Sequence, residues 1–159
     1  MTTPAEGIAA LERAFGSVPR PTNEELLHPR CADDSDLKGL YAFERWRDVP
    51  DAVIEREYAA LAFLSAAGYR CFLPAYLRFA LRHSHGGAAA VDSTVWSLLP
   101  EMYEGDLIEF ARSKYELLTR AERDAIGVAL EALAADGHPD AAKALASWRS
   151  SGGSPHVPR

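Results

Sequence analysis

The residue types best able to do chemistry in this chain fall in two places. His28, Cys31 and Asp34 stand at i, i+3 and i+6, and together they bring an imidazole, a thiolate and a carboxylate, all of them zinc ligands. A fourth ligand would have to come from His83, His85 or Cys71. The competing reading is a loop histidine followed by aspartates that cap a helix. Zinc is thus possible at this site, and no other cofactor is indicated. Glu25 and His28 also have the Glu-x-x-His spacing of di-iron bundles, but such sites draw that element from two helices and it occurs once here.

The second place is the segment from Ser65 to Val91, which has no Asp or Glu but carries Arg70, Arg78, Arg82, His83 and His85. Arg78 and Arg82 are four apart and share a helix face, with Arg70 two turns earlier. A cleft lined by Arg70, Tyr76, Arg78 and Arg82 would hold a carboxylate or phosphate in bidentate fashion. The flanking segments are acidic: 31–64 has four basic and eight acidic residues, and 92–118 has two and six. Pairing of the arginines with those neighbours is therefore the other expectation. Cys71 with His83 or His85 would make a thiol and its base, yet Cys71 lies in a mostly apolar stretch where cysteine packs as a small hydrophobe. No GxSxG, HExxH, phosphate-binding glycine loop or Rossmann fingerprint occurs, so no catalytic residue is assigned.

The elements that must position these groups read as helices. Thr3-Pro4-Ala5-Glu6 is a capping box with proline at the first helical position, followed by Ile8, Leu11 and Phe15. A proline-rich connection follows, with a short turn after Thr22, and Asp33, Asp34 and Asp36 are placed to cap a helix carrying Leu37, Leu40 and Tyr41. After Pro50, the spacing of Ile54, Tyr58, Leu61 and Leu64 predicts one helix, and Ser65 then caps a segment reaching His83. Pro74 inside that segment predicts a kink or break. Asp92 or Ser93 would cap a further helix, and Asp106 and Thr119 each begin a capping-box spacing. Pro139 would open a last helix through Trp148, and Trp46, Trp96 and Trp148 read as core or edge-of-core packing. Strand signals are missing. The expectation is an all-α fold, a single compact domain over 1–149 with about six or seven helices, and a disordered tail over 150–159.

The stretch from Trp46 to Leu77, WRDVPDAVIEREYAALAFLSAAGYRCFLPAYL, resembles a family of uncharacterised small bacterial proteins classed as a domain of unknown function. The shared features are a Trp before a proline-initiated helix, the AFLSAAGYR junction and the FLPAYL segment. FGSVPRP upstream and LLTRAERDAI downstream match more loosely. The resemblance implies a fold family and no activity. It also implies that a His and closely spaced cysteines just before the Trp are common among relatives, whereas the matching stretch here, His28-Pro29-Arg30-Cys31-Ala32-Asp33-Asp34, has one cysteine.

Length and charge bound the function. A chain of 159 residues with 48% hydrophobic and 25% charged residues has the make-up of an ordinary soluble domain that needs no staple to bury a core. Two cysteines 40 positions apart form no disulfide framework, and no signal-like N-terminus is present, so a cytoplasmic setting is expected. The longest uncharged run is too short to span a membrane. A net charge of -6 disfavours nucleic acid as a partner. Glu101, Glu104, Asp106 and Glu109 would instead present an acidic face to a basic protein. These features lead to a non-enzymatic protein-interaction module, immunity-protein-like or adaptor, as the expected function. The alternative is a binding protein or enzyme with an anionic ligand on the arginine and tyrosine side chains.

Overall fold

The most apolar stretch of the chain becomes its central helix. In the computed structural model, which describes residues 1–151, a helix runs from Ala66 to Arg82, and every residue from Cys71 to Leu81 is buried. In chain order the α-helices are α1 (Pro4–Ala14), α2 (Asn23–Leu26), α3 (Asp51–Arg56), α4 (Ala66–Arg82), α5 (Ala89–Ser97), α6 (Asp106–Ser113), α7 (Arg120–Ala135) and α8 (Ala141–Ser150). Short 3-10 turns stand at Lys38–Leu40, Trp46–Asp48, Ala60–Ala62 and Pro100–Met102. Among the described residues there is no strand, only an isolated bridge between Leu27 and Leu64. The fold is all-α, with eight helices among the described residues once the single turn α2 is counted. None of the described helices is long and apolar enough to cross a membrane.

Local chemistry sets most helix starts. Thr3 and Thr119 each accept a hydrogen bond from the backbone N–H of the glutamate three residues on, and the carboxylates of Glu6 and Glu122 accept one in turn from the N–H of the capping threonine. Ser65 caps α4 by accepting from the Gly68 N–H, while its own hydroxyl donates to the Glu25 carbonyl at 2.6 Å. The Ser65 N–H also donates to the Leu26 carbonyl, so α2 is fastened across the start of α4. This close approach requires Gly68, where a Cβ would stand 2.9 Å from the Leu26 carbonyl oxygen.

Packing then closes the core around α4. Helices α1 and α7 lie against each other and against α4, α8 covers α7, and α5 lies along α4 on another side. Tyr69, Phe72, Tyr76 and Phe79 of α4 are fully enclosed, and each such side chain contributes roughly 1.5–3 kcal/mol through burial. Trp46 and Trp148 are buried, and their indole N–H groups donate to the carbonyls of Phe15 and Arg123.

Several expected boundaries move. Helix α4 continues through Pro74, so the expected break is not there. Pro74 is itself buried among well-packed neighbours, and burial along both halves of α4 outweighs the roughly 3 kcal/mol that an interior proline costs. Leu37, Leu40 and Tyr41 lie in a 3-10 turn that no aspartate caps. The helix after Pro50 stops at Arg56, and Leu61 and Leu64 reach the core from a separate turn while Tyr58 points outward. Helix α5 starts at Ala89, before Asp92, and α6 starts after Gly105, with Asp106 in its first turn and no side-chain cap. Helix α8 begins after Asp140 rather than at Pro139 and extends through Ser150. The rest of the expected tail, from 152 onward, lies outside the described residues.

Candidate functional site

The arginines of α4 turn toward the protein itself. Arg70 Nε donates to both carboxylate oxygens of Glu122, at 2.6 and 3.1 Å. Arg78 is buried and donates to the carbonyls of Arg47 and Val49 at 3.0 and 2.8 Å, with its guanidinium 5.3 Å from the centroid of the Trp46 ring. Burial lowers its pKa from the ordinary arginine value. Arg82 stands 3.6 Å from Asp51, which also accepts a 2.8 Å hydrogen bond from the His83 Nε2. Tyr76 donates to the Glu57 carbonyl at 2.6 Å. The four residues expected to line an anion cleft thus have separate partners inside the fold. Arg82 pairs with Asp51 of the acidic segment 31–64, whereas the partner of Arg70, Glu122, lies beyond the acidic segment 92–118.

The possible zinc ligands also face different ways. His28 accepts the Arg30 N–H on Nδ1, and its ring lies 4.4 Å from that of Phe110, where burial lowers its pKa. Asp34 accepts the Tyr41 hydroxyl at 2.8 Å and stands 3.8 Å from Lys38. Cys31 is half-buried. Among the described residues no three His, Cys, Asp or Glu side chains gather as ligands for an ion, so the structure does not bring His28, Cys31 and Asp34 together as the spacing suggested. Cys71 is buried, its thiol pushed up to about 11 by burial, and His83 is engaged with Asp51.

A cleft stands elsewhere, between α5, α6 and the 60–62 turn. It holds about 290 Å³ and is lined by Tyr58, Leu61, Trp96, Tyr103, Leu107 and Phe110 among others, with Lys114 at its inner end. Tyr58, Trp96 and Leu107 are 47%, 38% and 56% exposed, unusual for such large apolar side chains. Leu107, Phe110, Ala111 and Lys114 follow one another at i, i+3, i+4 and i+7, one stripe of the segment that begins as α6. Lys114 is only 4% exposed and donates all three ammonium hydrogens to backbone carbonyls, those of Leu61, Ala62 and Leu64, at 2.9, 2.6 and 3.1 Å. Its ammonium also stands 4.7 Å from the centroid of the Phe110 ring. Burial pushes its pKa down to about 8. Ser97, another lining residue, donates to the Thr94 carbonyl and shares a hydrogen bond with Tyr69.

A family model matches residues 5–150, from the first turn of α1 to the last residue of α8. The chain belongs to the family of unknown function DUF6714. No curated protein and no solved structure matches it.

In this DUF6714 chain the cleft offers an apolar seat and little else. Its lysine and Ser97 are engaged internally, so neither is free to orient a polar ligand. Glu101, Glu104, Asp106 and Glu109 are exposed on the turn before α6 and on α6 itself, with Glu101 hydrogen-bonded to Ser147 of α8 and Glu109 3.7 Å from Arg112. Sequence reasoning missed Lys114, Leu107, Phe110 and Tyr58 as site residues, and assigned Trp96 to packing. The available signal was a lysine at the i+7 place of an apolar stripe, where a solvent-facing residue is out of register.

Proposed function

We propose that this DUF6714 chain is a non-enzymatic protein-interaction module, acting in the cytoplasm as an immunity-protein-like or adaptor protein, and that its partner docks on the cleft between α5, α6 and the 60–62 turn. One observation carries this reading. Of the six large hydrophobic side chains exposed among the described residues, Tyr58, Trp96 and Leu107 line that one cleft, and Met102 belongs to the turn between α5 and α6. Apolar side chains gathered at a concave site favour association, because covering them removes apolar area from water at roughly 25 cal/mol per Å². The volume lies just under the usual range of small-molecule sites, roughly 300–1,000 Å³, and suits one or two large side chains of a partner. The alternative of an anionic ligand on Arg70, Tyr76, Arg78 and Arg82 finds those groups already engaged.

Native mass spectrometry of the protein isolated gently from its host tests the reading when wild type and Leu107→Ser are compared. The wild type should retain a partner protein that the variant, equally folded by circular dichroism, loses. Retention of the same partner by both would move the docking site away from the cleft, and a bare wild type carrying a small-molecule mass would favour the ligand-binding alternative.

A further inference from the structure

The wall of the cleft that α6 supplies is fastened at its two ends and not between them. Before it, Pro100 is buried and the Ser147 hydroxyl donates to Glu101 at 2.5 Å. After it, Lys114 donates to the carbonyls of Leu61, Ala62 and Leu64, and the Tyr115 hydroxyl donates to the Ser97 carbonyl at 2.5 Å. From Glu104 to Ser113, among the described residues, no hydrogen bond or ion pair reaches another part of the fold. The backbone bonds along the chain, the Ser113 hydroxyl donates to the Phe110 carbonyl, and Arg112 pairs with Glu109. Ala111 alone of α6 is buried. The Phe110 ring lies 4.4 Å from that of His28 and 5.7 Å from the Arg30 guanidinium, contacts without the fixed direction of a hydrogen bond. So few buried contacts and so few ties across the fold mark an element of low local stability.

The start of α6 has the freedom that a hinge needs. Gly105 stands at φ +57°, where other residues are strained, and nothing lies within 4 Å of the place a Cβ would take. The inner side of α6 faces the apolar cleft, where Tyr58, Trp96 and Leu107 remain partly in water. Swinging α6 toward α5 covers those side chains and breaks no bond to the rest of the fold.

We propose that α6 is a flap, hinged at Gly105 and pivoting on Lys114, which closes over the cleft when nothing fills it and stands back when something does. The structure holds the open position. As a gate on a partner the flap rests on the cleft being the docking site, whereas the motion itself does not.

The full chain tests it without a partner, with toluene as a probe small enough for the cleft. Nitroxide labels are placed through Glu109→Cys on the flap and Asp124→Cys on α7, in a Cys31→Ser background, and a reference pair joins Asp124→Cys to Ala142→Cys on α8; all three labelled positions are exposed. Pulsed spin resonance should resolve two distances for the flap pair and one for the reference pair, and saturating toluene should leave the flap pair with one. Amides of 107–113 should exchange with solvent roughly tenfold or more faster than those of α5, while Cα shifts keep α6 helical. One distance for the flap pair, as narrow as the reference, would overturn the flap and leave the docking reading standing. Two distances that toluene does not change would overturn closure over the cleft. A broad spread with loss of helical shifts would show α6 melting rather than swinging, and would overturn the hinge.

Discussion

Arg70 on α4 and Glu122 on α7 hold each other through two contacts, Nε standing 2.6 Å from one carboxylate oxygen and 3.1 Å from the other. Glu122 is 1% exposed and also accepts the Thr119 N–H as the capping-box partner of α7. The same carboxylate therefore closes a helix start and fastens that helix to the centre of the fold. Replacing Arg70 with Met leaves a buried carboxylate without its guanidinium. Because Arg70 keeps part of its surface in water, the cost should fall below the roughly 3–5 kcal/mol of a fully buried pair, at about 2 kcal/mol. Urea unfolding measures it, and a loss under about 0.5 kcal/mol, the size of an ordinary surface change, would contradict the pairing role.

Arg78 should behave as a structural residue of a different kind. Its planar fork reaches two carbonyls, of Arg47 and Val49, and stacks near Trp46, so lysine is no substitute. Arg78→Lys should cost about 1–2 kcal/mol in urea unfolding. A lysine variant as stable as wild type would show that the fork is not what holds the 46–49 segment on α4.

The helix caps were legible because they are local. Thr3, Thr22, Ser65 and Thr119 each cap the helix expected after them, and in each case the partner N–H is three residues away. Residues 54–64 misled because Ile54, Leu61 and Leu64 are all buried, as one helix would have them, yet the chain breaks after Arg56 so that Leu64 can bridge to Leu27. The cleft was illegible for the same kind of reason. Its 58–62 wall lies some 35 to 55 positions before the walls from α5 and α6, and the carbonyls that draw Lys114 inward belong to the same early segment, about 50 residues before it. Arg70, Arg78 and Arg82 were legible as a group on one helix, but their acceptors, Glu122, two main-chain carbonyls and Asp51, lie on other elements.

The two thiols should differ sharply in reactivity. Burial pushes the Cys71 thiol up to about 11, whereas Cys31 is half-buried near the surface, and the thiolate is the reactive form. Titration of the native protein with a disulfide reagent at pH 8 should modify one cysteine, and Cys31→Ser should leave none reactive until denaturant is added. Rapid reaction of the Cys31→Ser variant in native buffer would contradict the enclosure of Cys71.

Lys114 should give the protein a distinctive alkaline response. Its pKa falls from 10.5 to about 8 on folding, so between those values the unfolded chain binds more protons than the folded one, and stability from this group rises with pH. Below pH 8 both states are protonated and the contribution is constant. Buried tyrosines and Cys71 have raised values and act in the opposite direction, so comparison with Lys114→Met isolates the lysine. From pH 7 to 10, wild type should gain up to about 3 kcal/mol relative to the variant in urea unfolding. A difference that stays constant with pH would contradict the shift.

Photocrosslinking from the cleft tests the central claim most directly. A benzophenone amino acid is placed at Leu107 in one version of the protein and at Asp124, an exposed position on α7, in another, and both are irradiated in the native host. The cleft reading predicts a discrete adduct with one other protein from position 107 and none from position 124. Adducts of equal yield from both positions, or none from 107 while 124 captures the partner, would contradict docking at the cleft.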